Sequence, residues 1–140
     1  MKHVSFFLVF LMVWGCKEES VSTSDLHFLN GYWEINTVEF PDGNEKQYKV
    51  NPNIDFIYLE NEKGFRKKVQ PKFDGTYTTN NDSEVLAVHN QNGSITLRYK
   101  NGNNEWEEKL TQLDSLSFSV VNQEGLKYSY KRFQPISIPK

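Results

Sequence analysis

Hydrophobic and polar residues alternate with period two along much of the chain. From Ser94 to Lys100, Ile95, Leu97 and Tyr99 fall on one side, and Thr96, Arg98 and Lys100 on the other. Leu116, Phe118 and Val120 alternate with Ser117 and Ser119, and Leu126, Tyr128, Tyr130 and Arg132 alternate with Lys127, Ser129 and Lys131. One buried face and one wet face is the pattern of an antiparallel sheet over a single core. Clusters of Asn, Asp, Gly and Pro punctuate these segments at 41–44, 51–53, 61–64, 71–75, 80–83, 90–93, 101–104, 114–115 and 122–125. Their spacing, roughly eight to twelve residues, predicts short strands joined by tight turns. The clusters divide the chain into ten segments. Asn and Gly supply the positive φ values that such turns need. A single helical turn is predicted at 25–30, with Asp25 as its cap and Leu26 and Leu29 facing inward.

Short connections leave no room for Greek-key crossovers, so the chain must wind as a meander. A long twisted meander removes its exposed edges by closing on itself. The predicted fold is all-β: a single antiparallel up-and-down barrel of about eight to ten strands behind a short N-terminal helical turn.

The N-terminus departs from this pattern. Behind Lys2 runs an apolar stretch, Val4 to Trp14, broken only by Ser5. A bilayer span needs ~20 residues, so this shorter run suits the core of a signal peptide instead. It ends Val13-Trp14-Gly15-Cys16, a junction that resembles the lipobox of bacterial lipoproteins. The resemblance implies that the Cys16 thiol takes a diacylglycerol as a thioether and that its freed α-amine takes a further acyl chain such as palmitate. Each buried CH₂ contributes about 0.8 kcal/mol, and stable anchoring needs more than one chain. The alternative is a soluble secreted protein with a cysteine at the junction. Lys17-Glu18-Glu19 resembles the surface-export signal found after the acylated cysteine in some Gram-negative bacteria. It implies an outer-membrane lipoprotein facing outward; a plain solvated tether is the other reading. The chain then divides into a signal peptide (1–15), a lipidated tether (16–25), a barrel (26–135) and a C-terminal tail (136–140).

Composition excludes several classes. The 140 residues carry sixteen Lys+Arg against eighteen Asp+Glu, a net charge of −2. That balance does not suit a strongly basic nucleic-acid binder. One cysteine allows no internal disulfide and no Cys-rich zinc module. With Cys16 committed to the anchor, His27 and His89 sit in distant segments, and neither has a second ligand at metal-binding spacing. No nucleophile elbow or phosphate loop appears. A non-catalytic monomer without metal or cofactor is expected, with the membrane as its partner through the lipid.

Gly31-Tyr32-Trp33 opens the first predicted strand, and Tyr130-Lys131-Arg132-Phe133 ends the last. The first triplet resembles the Gly-x-Trp motif of lipocalins, where an arginine from the final strand packs across the motif's tryptophan at the closed end. The resemblance implies that Gly31, Trp33 and Arg132 close the barrel and touch no ligand. An even strand number makes first and last strands antiparallel neighbours, which allows Trp33 and Arg132 to meet.

Alternation assigns an inward set: Ile35, Phe56, Tyr58, Phe73, Tyr77, Leu86, Val88, Ile95, Leu97, Tyr99, Trp106, Leu110, Leu116, Phe118, Val120, Leu126, Tyr128 and Tyr130. Parity also turns Lys67 and Glu108 inward. Tyr58, Tyr77, Tyr99, Tyr128 and Tyr130 are the candidates for lining a site that takes an apolar molecule with one or two polar groups. The same side chains would equally serve to fill the barrel. Two functions follow: capture of a small hydrophobic molecule at the cell envelope, or a filled barrel serving as a structural or protein- or glycan-interaction module.

Overall fold

The computed structural model describes residues 21–49 and 52–135. Cys16, the leader before it, Lys17-Glu18-Glu19 and the tail 136–140 lie outside the described residues. A 3-10 helix, Thr23–Leu29, begins the domain and buries Leu26 and Leu29. Its N-cap is Ser22, whose hydroxyl accepts from the Ser24 N–H; Asp25 sits within the first turn instead of capping it.

Nine strands follow: β1 (Gly31–Glu39), β2 (Glu45–Gln47), β3 (Ile54–Glu60), β4 (Lys63–Pro71), β5 (Tyr77–Gln91), β6 (Ser94–Asn101), β7 (Asn104–Leu113), β8 (Ser117–Asn122) and β9 (Lys127–Arg132). All pair antiparallel, and β9 returns to β1 in a register running from Trp33 opposite Arg132 to Glu39 opposite Lys127. The other edge of β1 is shared, with β3 at Gly31–Trp33 and β2 at Thr37–Glu39. The result is a closed up-and-down barrel of eight strands, with short β2 as a flap completing one edge. The β3–β4 turn places Asn61 and Glu62 at φ 52° and 66°, the double left-handed geometry that matches strand twist. Gly64 follows it, where a Cβ would sit 1.7 Å from the Tyr58 carbonyl oxygen.

Nine strands replace ten segments because the 80–83 cluster is not a turn. β5 runs straight through it, and the register steps from Lys67 opposite Ser83 to Val69 opposite Thr79. The residues between form a bulge against Lys68. Turn-forming residues also suit a bulge, where ladder pairing lapses.

The core gathers Trp33, Leu26, Leu29, Ile57, Leu86, Val88, Ile95, Leu97, Tyr99, Leu110, Phe118, Val120 and Tyr130. Several residues expected inside lie elsewhere. Phe73 (87% exposed) and Leu116 (64%) occupy turns, where alternation has no meaning. Phe56 and Tyr58 stand on the outer face of β3, while Ile54, Asp55 and Ile57 are buried. Lys67 pairs opposite Phe56 on that outer face, and its neighbour Arg66 takes the inward place. The cause is physical: the interior of β3–β5 holds charged residues and the exterior holds aromatics, so parity judged by hydrophobicity slips by one residue.

Candidate functional site

The end where β1 begins is sealed by side chains meeting backbone carbonyls. Trp33 is fully buried, donates from Nε1 to the Leu29 oxygen at 2.8 Å, and meets the Phe118 ring edge-on at 4.7 Å. The Arg132 guanidinium lies 3.8 Å from the centre of the Trp33 ring. Its nitrogens donate to the oxygens of Asn30 (2.7 Å), Phe28 (2.7 Å) and Ser115 (3.1 Å). The stacked cation contributes ~0.5–2 kcal/mol, and its fork satisfies carbonyls at the end of the short helix that would otherwise lack donors. Gly31 has φ +120°, and a Cβ there would stand 2.6 Å from Arg132 Nη1. The three residues pack together as one plug.

The five candidate tyrosines separate. Tyr99 and Tyr130 are buried inside the barrel, and Tyr128 is half-buried beside them. Tyr58 is 43% exposed, and its hydroxyl donates to Glu60 on the outer face. Tyr77 also lies outside, stacked on Tyr32 at 4.2 Å. These two cannot line the interior. The first is on the wrong parity of β3, and the second lies beyond the bulge, on the part of β5 that pairs with β4 but not with β6.

What fills the space near Tyr99 is charge. Arg66 projects inward from β4, with its guanidinium 4.1 Å from the centre of the Tyr99 ring. Its Nη2 and Nε reach Glu84 Oε2 at 2.6 and 2.7 Å, and Nη1 lies 3.6 Å from Glu108 Oε1. Asp55 is buried and faces Lys68 Nζ at 2.6 Å, in an ion pair not aligned as a hydrogen bond. A cleft of about 130 Å³ opens beside the bulge, lined by Asp55, Arg66, Lys67, Lys68, Asp82, Glu84 and Asn101. Sequence parity pointed to Lys67 and Glu108, of which Glu108 belongs to this layer while Lys67 lies opposite Phe56 on the outer face. Asp55, Arg66 and Glu84 were missed because a polar residue between apolar ones reads as outward-facing.

Burial acts on Arg66, Tyr99, Tyr130 and Glu108. It favours loss of the Arg66 proton, but Tyr99, Asp55 and Glu84 outweigh it and hold the guanidinium well above the ordinary arginine range. Burial raises Tyr99, with Arg66 opposing, and raises Tyr130. Burial also raises Glu108, against the pull of Arg66 and Tyr99 and with the help of the Asp55 and Glu84 charges. A carboxyl whose pKa is higher in the folded than in the unfolded state adds stability at low pH. That stability is lost as pH rises through the folded value. Glu108→Gln, neutral throughout, is therefore expected to unfold at higher denaturant than wild type above that pH, with the advantage shrinking in acid. Urea titrations across pH 4 to 8 would show it, and a constant offset would contradict it.

A second feature lies outside the barrel. Aromatic rings run across the outer face from Tyr58 through Phe65, Phe56, Tyr32 and Tyr77 to Phe133, with successive centroids 4.2 to 6.4 Å apart. Beside this strip, the tip of the β4–β5 hairpin and the segment 133–135 enclose a groove of about 450 Å³. Phe73, Tyr77, Phe133, Pro52, Pro71 and Pro135 supply its apolar lining, and Glu34, Lys49 and Lys72 its charges. The hairpin tip is held by main-chain bonds from Lys72 N–H to the Thr76 oxygen and from Gly75 N–H to the Lys72 oxygen, and by Asp74, which accepts from both the N–H and the hydroxyl of Thr76. Phe73 is thus fixed in solvent on an ordered turn. Alternation places it inside, wrongly; the signal for its true position is an aromatic residue inside a turn cluster.

No protein-family model and no curated protein matches the chain. Two solved structures are similar to it. One is a lipocalin-like protein from Bacteroides uniformis ATCC 8492, 16% identical, with 76% of this chain and 99% of that chain covered and a TM-score of 0.49. The other is an uncharacterized protein from Bacteroides eggerthii DSM 20697, 14% identical, with 75% and 99% covered and a TM-score of 0.49. The barrel assignment rests on this chain's own register, which closes β9 onto β1.

Among the described residues no group of His, Cys, Asp and Glu is arranged to hold a metal ion, and no helix is long and apolar enough to cross a membrane. His27 Nδ1 lies 2.9 Å from the Ser24 oxygen, and His89 Nε2 lies 3.5 Å from Arg98 Nη1.

Proposed function

We propose that this chain is a filled lipocalin-like barrel, held at the bacterial envelope by lipid on Cys16, that works as a non-catalytic interaction module through its outer aromatic face. The observation that carries this reading is the exchange of roles between inside and outside. Ligand pockets of ordinary size enclose about 300–1,000 Å³ and are mainly apolar. The cleft entering the charged layer holds only about 130 Å³, while the apolar groove of about 450 Å³ lies on the exterior. An ordered turn that holds Phe73 at 87% exposure beside that groove has the character of an aromatic anchor awaiting a polypeptide. The volume of the groove also favours a second reading, a small apolar molecule seated there instead of in the barrel.

The test places a photoreactive phenylalanine analogue at Phe73 in cells, with Leu116, also exposed, as control. Native mass spectrometry of the envelope extract follows. A specific polypeptide crosslink at Phe73, absent at Leu116, is expected, on a protein carrying thioether-linked diacylglycerol. Cys16→Ser is expected to lose the lipid mass and leave the membrane fraction. A co-purifying small molecule with no crosslink would favour the second reading. Lipid mass retained in Cys16→Ser would overturn the anchor.

A further inference from the structure

We infer that the outer groove is also the seat of this chain's own residues 136–140, with Ile136 and Ile138 packed between Phe133 and the β4–β5 hairpin, so that a polypeptide partner must displace them. The inference uses the groove of the proposed function but needs no partner to be true. The described residues run out of β9 straight into that groove, where Phe133, Gln134 and Pro135 belong to the lining. Phe133 is fixed at two points: its N–H donates to the Tyr32 oxygen at 3.0 Å, and its ring meets that of Tyr77 edge-on at 6.4 Å. The residue after Pro135 therefore starts within the groove, and it is an isoleucine.

The sequence continues Ile136-Ser137-Ile138-Pro139-Lys140. In an extended segment, residues two apart share a side, which gives Ile136 and Ile138 one apolar face and sends Ser137 the other way. Pro139 favours that extension, because the residue before a proline is pushed out of the helical region. Ile138 stays within about 11 Å of Pro135, in reach of Pro71, Phe73 and Tyr77, which line the same groove. A segment tethered this closely acts at an effective concentration on the order of millimolar. A free ligand of equal intrinsic affinity loses to it below that level, and a second copy of the chain has no such advantage.

The deciding experiment uses the purified full chain at low concentration, with a diazirine-bearing aliphatic residue in place of Ile138. After irradiation, peptide mapping is expected to find position 138 joined to residues 71–77 of the same molecule, at monomer mass. A link at dimer mass would make a second copy the occupant, and no link to 71–77 would leave the groove without the segment; either result overturns the inference. The paired variant Ile136→Ser with Ile138→Ser gives a second readout, free of the photoreactive group. Titrated with anilinonaphthalene sulfonate, it is expected to bind the dye about tenfold more tightly than wild type, the gain from a groove otherwise open in about one molecule in ten. Equal affinity would overturn the inference as well. The cellular crosslink at Phe73 reports a second polypeptide by its mass, so the partner and the tethered segment can fail separately.

Discussion

Replacing Arg66 by methionine is expected to cost about 3–5 kcal/mol of folding stability, because it strands carboxylates in a buried layer. Arg66 is the shared partner of Glu84 and Glu108, and its own side chain is only 14% exposed. Without it, both carboxyl groups lose the positive charge that offsets their burial. The loss should therefore shrink as the solution is acidified and Glu108 takes up a proton, since a neutral carboxyl is far cheaper to bury. A triple variant, Arg66→Met with Glu84→Gln and Glu108→Gln, is expected to recover most of the loss, as neutral replacements of buried ion pairs often do. Urea unfolding at neutral and acid pH checks all three statements. A single variant as stable as wild type at neutral pH would mean that water reaches the layer freely.

The second large effect belongs to the sealed end. Trp33→Ala should lower stability by about 3–5 kcal/mol, the usual cost of emptying a fully buried aromatic site. The change removes the surface under the Arg132 guanidinium, the edge contact with Phe118 and the bond to the Leu29 carbonyl. Trp33→Phe keeps a ring but no N–H donor, so it should lose less while still leaving that carbonyl short of a partner. Chemical denaturation measures both. Near-neutral behaviour of the alanine variant would show that the short helix closes the barrel without the tryptophan.

These two regions differ in how far the sequence reveals them. The plug was legible because its residues bracket the domain: Gly31 and Trp33 open the first strand, and Arg132 ends the last. A closed meander must bring those strands side by side. The carbonyls that Arg132 satisfies were not legible, since residue type says nothing about which backbone oxygens end up without donors. The charged layer was nearly invisible. In β3 the aromatic residues Phe56 and Tyr58 face out while Asp55 is buried, so a reading by alternation inverts the strand. Arg66 and Glu84 then look like surface charges, although they meet at 2.6 Å in the interior.

By itself the sequence determined a meander of short antiparallel strands, because turn-forming residues recur at strand-length intervals and no stretch sustains a helical stripe. It also determined that the first and last strands carry the closing residues. Only the tertiary structure decided that the 80–83 cluster bends a continuous strand, that the interior of β3–β5 is charged, and that Phe73 stands in solvent beside a groove. The physical reason is that alternation tells only that two faces differ. Which face becomes the inside is fixed by ring closure, by the bulge that re-aims β5, and by partners arriving from distant strands. A buried Asp, Arg or Glu is tolerable only once those partners are in place.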